Sequence, residues 1–182
     1  MDIDDLLNKP RFHKNYNNNE NNCRGLNDLI AEFLTNSTIM CEIGNFAGVS
    51  SELFARQVQL IFCIDPYLSY NEIDYALLLN AEKDFIIMAQ NYSNINKFKK
   101  TSSEASMLFD NNFFDFVYID GAHDYDNVHN DINKWLPKIK TTGYIGGHDY
   151  NQGSVQQAIT NNNLNIIKVF SDTSWISKVP SP

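Results

Sequence analysis

Apolar residues recur along this chain in two rhythms. Short, mostly apolar runs at 38–43, 58–64 and 113–120 predict buried strands, and 95–99, 142–147, 164–170 and 174–179 read as further strands. Between them the spacing changes to three and four. Leu26, Leu29, Ile30, Phe33 and Leu34 mark one face of a helix, and 49–57 follows as a second. A helix over 71–92 carries Ile73, Leu77, Leu78, Ile86 and Ile87, and shorter ones are expected over 105–109 and 153–159. Val128, Ile132, Trp135 and Leu136 define another, interrupted by Pro137. Strand and helix alternate throughout, which predicts an α/β domain: a doubly wound, mostly parallel seven-stranded sheet whose last two strands form an antiparallel edge.

Ligands of such sheets bind outside the carboxyl ends of the strands. Here those ends carry Glu42, Asp65, Ser102, Asp120 and Asp149, so the pattern predicts that they converge. The first strand runs into Glu42-Ile43-Gly44-Asn45-Phe46-Ala47-Gly48 and then a helix that Ser50 or Ser51 could cap. A strand, a glycine turn and a helix start present backbone N–H groups to a ligand, and Gly44 and Gly48 are expected to leave it room. Glu42 is expected to face the same crevice and to suit a cationic or hydroxyl-bearing group. Asp65 ends the second strand at the position that takes ribose hydroxyls in nucleotide-binding βαβ units; a capping Asp is the bland alternative. Ser102 and Ser103 suit either an adenine edge or a helix cap. The dinucleotide fingerprint needs a third glycine that this loop lacks, which disfavours an NAD-dependent oxidoreductase.

Composition narrows the field. The 182 residues carry a net charge of −8, which argues against nucleic acid as the main partner, and Lys97, Lys99 and Lys100 read as a solvated cluster. The three cysteines, Cys23, Cys41 and Cys63, have no metal or disulfide spacing. No run is apolar enough to span a bilayer, and the acidic first residues do not resemble a signal peptide, so no membrane partner and a cytoplasmic location are expected. Residues 1–24 contain an Asn-rich tract that reads as a loop or lid; 25–182 reads as a single domain.

Several ordered motifs then carry a resemblance. The loop E-I-G-N-F-A-G is similar to motif I of class I S-adenosylmethionine-dependent methyltransferases. Phe114-Asp115-Phe116-Val117-Tyr118-Ile119-Asp120-Gly121-Ala122-His123-Asp124-Tyr125 resembles the F-D-x-V-x-I-D-G-x-H-x-Y segment of their small-molecule and sugar O-methyltransferase branch. Gly143 to Tyr150 resembles the following segment that ends in H-D-Y, and Asp172-Thr173-Ser174-Trp175 the closing strand. The resemblance implies a Rossmann-like fold and S-adenosylmethionine as cofactor. It implies that Glu42, Gly44, Asn45, Phe46, Gly48 and Ser50 hold the methionine part. Asp65 would take the ribose, Tyr67 the nucleoside, Ser102 and Ser103 the adenine, and Asp120 both cofactor and acceptor. In the related catechol-type enzymes a divalent ion sits on an acid after the fourth strand and an Asp-Asn pair after the fifth. The matching positions are Asp120 and Asp149, with Tyr150 in place of the Asn and His148 beside them as a substitute ligand for Mg²⁺ or another divalent metal. His123 falls where that family has its base, and a loop-holding histidine is the alternative. His13 and His129 lack comparable context. The expected partner is a small hydroxyl compound. Monomer and homodimer stay open, and the rival reading is a non-catalytic nucleotide-binding module with the same fold.

Overall fold

The computed structural model describes residues 23–68 and 74–180. The Asn-rich tract and the reading of it as a lid lie outside these residues. Helix α1 (Arg24–Phe33) leads into β1 (Ile39–Ile43), α2 (Val49–Ala55), β2 (Leu60–Ile64), α3 (Tyr75–Ala89), β3 (Ile95–Phe98) and α4 (Ser102–Ser106). β4 (Phe114–Ile119), α5 (Tyr125–Trp135), a 3₁₀ turn (Leu136–Lys138), β5 (Ile139–Gly147), α6 (Gly153–Asn161), β6 (Ile166–Val169) and β7 (Trp175–Lys178) complete the order. The seven strands form one sheet in the order β3-β2-β1-β4-β5-β7-β6. β3 to β5 are parallel, while β7 runs antiparallel to both β5 and β6. The predicted doubly wound, mostly parallel sheet with an antiparallel edge is therefore the fold of the chain.

Alternation along each strand divides the core into two. Met40, Ile61, Cys63, Phe116 and Tyr118 pack with α1, α2 and α3, whereas Cys41, Ile43, Ile64, Val117 and Ile119 pack with α4, α5 and α6. Strands with apolar residues on both faces are what a sheet covered on both sides demands. The main difference from the sequence pattern is β5, which begins at Ile139 rather than 142. Gly143 reads as a turn residue but lies within the strand, where an added Cβ would sit 2.6 Å from the Asp115 carbonyl oxygen. The adjoining register shift opposite Phe114 and Phe116 marks a bulge.

One long-range contact ties the two ends of the described chain together. Asp172, in the turn between β6 and β7, accepts the Leu26 N–H at the first turn of α1 (2.6 Å) and the Ser174 N–H (3.0 Å). Gly25 lies so close that a Cβ there would meet the Asp172 carboxylate at 2.2 Å. A carboxylate at a helix N-terminus satisfies an otherwise orphaned donor and complements the dipole. None of the three cysteines forms a disulfide; Cys41 and Cys63 are buried and Cys23 is half-buried. Among the described residues no helix is long and apolar enough to cross a membrane.

Candidate active site

The centre of the sheet is where the chain reverses direction, β1 crossing to β2 on one side and β4 lying on the other. The carboxyl ends of these strands meet there. Gly44 N donates to Ile64 O and Asp120 N to Ile43 O, both at 2.8 Å, so the ends of β1, β2 and β4 are stitched in line. Gly44 and Gly48 both have positive φ, 85° and 78°. Protein atoms take up part of the space they leave. A Cβ on Gly44 would lie 2.2 Å from the Asp120 carbonyl oxygen, and one on Gly48 2.5 Å from the Met88 methyl. The glycine loop is short of side chains chiefly because β4 and α3 press against it.

Glu42 is fully buried beneath α2 instead of facing the crevice. Ser50 Oγ donates to its Oε1 at 2.5 Å, and Ser51 Oγ and Cys63 Sγ donate to Oε2. Neither serine caps α2, whose N-cap is Gly48 without a side-chain bond. Burial pushes the Glu42 carboxyl up to about 7 against the pull of the two serine hydrogen bonds. Asp65 accepts from the Phe46 N–H (2.9 Å) and the Tyr67 N–H (2.8 Å), which fixes the glycine loop against the end of β2. Burial raises its pKa. Asn45 donates to the Tyr67 hydroxyl at 2.7 Å, and that hydroxyl donates to the Phe46 carbonyl. Asn45 Oδ1 is buried without a hydrogen-bond partner. An unmet buried acceptor costs about 1–3 kcal/mol. Its place in this loop therefore fits a ligand that brings a donor, such as an ammonium or a ribose hydroxyl.

Ser102 and Ser103 point elsewhere. Thr101 caps α4 in a capping box with Glu104. Ser102 Oγ donates to Asp131 (2.5 Å) and accepts from Trp135 Nε1 (2.8 Å), while Ser103 Oγ accepts from Lys134 (2.6 Å). Both side chains fasten α4 to α5.

Across the crevice, Asp120, His123, His148 and Asp149 come together. His123 Nδ1 lies 2.9 Å and His148 Nδ1 3.3 Å from the same oxygen, Asp149 Oδ2, and His148 Nδ1 lies 3.9 Å from Asp120 Oδ1. One ligand atom from each of Asp120, His123 and Asp149 falls within 4.8 Å of the others. The backbone around them is held: His148 N donates to Ile119 O, Trp175 Nε1 to His148 O, and Ser154 Oγ to His123 O. Asp149 takes a left-handed φ of 58°, a conformation that Asp tolerates and that is concentrated at functional sites. Burial raises Asp120 to about 6. Burial also acts to raise Asp149, but hydrogen bonds from His123 and His148 outweigh it and hold the carboxyl far below its usual range. The Asp149 hydrogen bond raises His123. His148 is lowered by burial and raised more strongly by Asp149 and Asp120, reaching about 9.

Of the five residues expected to converge, Asp120 and Asp149 come together beside His123, whereas Glu42 turns under α2 and Ser102 turns to α5. Three features were not visible in the sequence: the Asn45 orphan, the closure of Ser51 and Cys63 on Glu42, and the His123–Asp149 pair. Each depends on a side-chain direction. Of these only the His123–Asp149 pair has a sequence signal, because the H-D-Y segment places Asp149 at a strand end.

The comparisons with known proteins agree with this geometry. Residues 41–150, which run from β1 to just past β5, match the family described as "Methyltransferase domain". Uncharacterized protein R132 of Acanthamoeba polyphaga mimivirus is 28% identical over 131 residues, covering 69% of this chain and 57% of that protein; the match thus spans little more than half of the relative's length. Among solved structures, the SMU.1697c protein of Streptococcus mutans, in complex with SAH, superposes with a TM-score of 0.58 at 9% identity, covering 83% of this chain and 92% of that one. The N-methyltransferase NodS of Bradyrhizobium japonicum gives 0.57 at 14% identity, over 84% and 90%. At such identities the structures show a shared fold, and the family match adds the lineage: this chain belongs to the methyltransferase-domain family.

Proposed function

We propose that the chain transfers the sulfonium methyl of S-adenosylmethionine to a hydroxyl oxygen of a small molecule, a sugar or a similar compound. The observation that carries the reading is the apposition at Gly44 and Asp120. It sets a loop with an unmet buried acceptor directly against a cluster of two carboxylates and two imidazoles. The solved neighbour in complex with SAH supports the choice of cofactor. Asn45, Phe46 and the loop backbone would hold the methionine part, with Gly44 and Gly48 permitting the turn. Glu42 would set the polarity of the loop from below through Ser50, and Asp65 and Tyr67 would bound the ribose.

The reaction is an in-line displacement in which the acceptor oxygen attacks the methyl carbon as the carbon–sulfur bond breaks. The sulfonium leaves readily, so the protein's task is to align the partners and to dispose of one proton. Asp120 stands between the two halves and orients the acceptor. His123, if it serves as base, must first lose the proton that Asp149 helps it keep. The donor set also fits a divalent cation held by Asp120, Asp149 and His148, which would lower the pKa of a bound hydroxyl.

Calorimetric titration with S-adenosylmethionine and S-adenosylhomocysteine tests the reading. Micromolar binding of both, followed by methyl transfer to a panel of hydroxyl acceptors, is the expected result. One observation favours the rival, a non-catalytic module: Glu42 and Asp65 are already engaged by the chain's own donors. Absence of binding to either compound would sink the enzyme, and binding without turnover on any acceptor would favour the module. Full turnover of His123→Ala across pH would remove His123 as the base.

A further inference from the structure

We propose that Tyr67 is a positioning residue of the glycine loop: held by Lys97 and Glu82, its hydroxyl sets which way the Asn45 amide faces and so aims the loop's unmet acceptor at a hydrogen-bond donor of the bound cofactor. The inference rests on the reading of this loop as the cofactor site. It moves Tyr67 from the wall of a ribose pocket to a role exerted through Asn45.

The hydroxyl proton fixes the amide. Tyr67 has a single proton to give, and the Phe46 carbonyl oxygen, 2.8 Å away, can only accept it. The Asn45 atom 2.7 Å from the same hydroxyl must then be a donor, which is Nδ2. Oδ1 is thereby left on the other side of the amide, without a partner in a residue only 2% exposed. Burial pushes the Tyr67 phenol above its usual range, so the proton stays in place. The Asn45 backbone is fixed separately, its carbonyl accepting the Gly48 N–H at 2.7 Å. The hydroxyl therefore acts on the side chain.

The ring is held in turn. Tyr67 is 3% exposed and offers a ligand almost no surface of its own. Its φ of 50° is one that a tyrosine keeps only when its surroundings hold it. The Lys97 ammonium lies 4.9 Å from the Tyr67 ring centroid and 5.8 Å from that of Phe85. Glu82 fixes that ammonium at 2.5 Å and draws in Lys99 at 2.7 Å, which lies 5.8 Å from the Tyr67 ring. A cation over an aromatic face is attracted by it. Lys97 and Lys99, which the sequence presents as a solvated cluster, are thus engaged at the loop. The same chemistry recurs between β6 and α1, where Lys168 pairs with Glu32 at 2.6 Å and lies 4.8 Å from the Phe170 ring. That pair is the control.

The test reads S-adenosylhomocysteine binding by calorimetry on the full chain, and the Asn45 side-chain amide by heteronuclear NMR without ligand. Tyr67→Phe keeps the ring and removes the hydroxyl. It should weaken binding about 10-fold, the loss of one aligned hydrogen bond, and should expose to exchange the Asn45 amide protons that are protected in the wild type. Lys97→Met should weaken binding about 3-fold, Lys97→Arg should restore it, and Lys168→Met should leave it unchanged. The deciding variant places Tyr67→Phe in the Asn45→Ala background, where the hydroxyl has no amide to direct and its removal should cost less than about twofold. Circular dichroism verifies folding; should Tyr67→Phe fail to fold, Lys97→Met carries the same comparisons. Titration of 5′-methylthioadenosine, which lacks the ammonium, identifies the donor: an undiminished Tyr67→Phe cost assigns it to a ribose hydroxyl, and no cost assigns it to the ammonium. An equal Tyr67→Phe cost with and without Asn45, unchanged binding in Tyr67→Phe, or an Asn45 amide unprotected in the wild type would each overturn the proposal. A wild type that shows the Tyr67-dependent amide protection but binds no S-adenosylhomocysteine defeats only the proposed function.

Discussion

The two halves of the crevice treat their acids in opposite ways. At the ends of β1 and β2 the carboxylates turn inward. Glu42 is sealed under α2 by Ser50, Ser51 and Cys63, and Asp65 is occupied by two backbone N–H groups of its own loops. At the ends of β4 and β5 they turn toward one another and toward imidazoles, and His123 is exposed. The first half is a scaffold whose polar groups are spent on holding the glycine loop, with Asn45 Oδ1 left over. The second is a set of titratable groups in mutual contact whose pKa values are pushed apart. Family membership alone would not separate these roles; side-chain partners do.

The strongest way to break the comparison is Gly44→Ala, because Gly44 is where the halves touch. A side chain there must adopt φ near 85° and displace the Asp120 carbonyl, so we expect a loss of about 4 kcal/mol in urea unfolding, together with weakened binding in both halves. A loss confined to cofactor binding would show that the halves are independent. Glu42→Gln comes next. Because the Glu42 pKa is raised from 4.5 to about 7, its favourable contribution is complete below about pH 4.5 and disappears as the pH rises through 7. The variant should match the wild type near pH 4 and exceed it by on the order of 2–3 kcal/mol at pH 8, while binding cofactor less well. Equal pH profiles would mean that Glu42 is not buried as a charge.

The other half predicts the same sense for a histidine, shifted to a higher pH window. His148, raised to about 9, contributes stability that is full below about pH 6.5 and is lost as the pH climbs through 9. In chelator, His148→Gln should cost about 1–2 kcal/mol at pH 6 and nothing above about pH 10, the single interaction with Asp149 being counted once. Gly153→Ala calibrates the series. It opens α6, and a Cβ there meets nothing within 4 Å, so thermal unfolding should move by no more than about 0.5 kcal/mol, toward stability.

Strand ends and periodicity are enough to read the sheet and the order of its strand ends, because those depend on backbone direction. What depends on rotamers was not legible. Ser50 and Ser51 sit where caps belong, yet they turn under the helix to a buried acid that has no other donor from solvent. Ser102 and Ser103 are drawn to Asp131, Trp135 and Lys134, three residues of α5 that lie some thirty positions away in the chain. The sequence shows that the glycines are needed, but no sequence pattern shows that β4 and α3 also close on that loop.

The Asp172 contact has a consequence for how the molecule comes into being. The donor it satisfies belongs to residue 26, and the acceptor is made 146 residues later. During synthesis α1 therefore emerges with its first turn unanchored and stays so until the turn before β7 has been added. Contacts of such separation form late and slow folding. A nascent chain halted before Asp172 should accordingly leave the 24–33 segment open to protease and chaperone, whereas the β1 to β4 ladder, complete by Ile119, should already be protected.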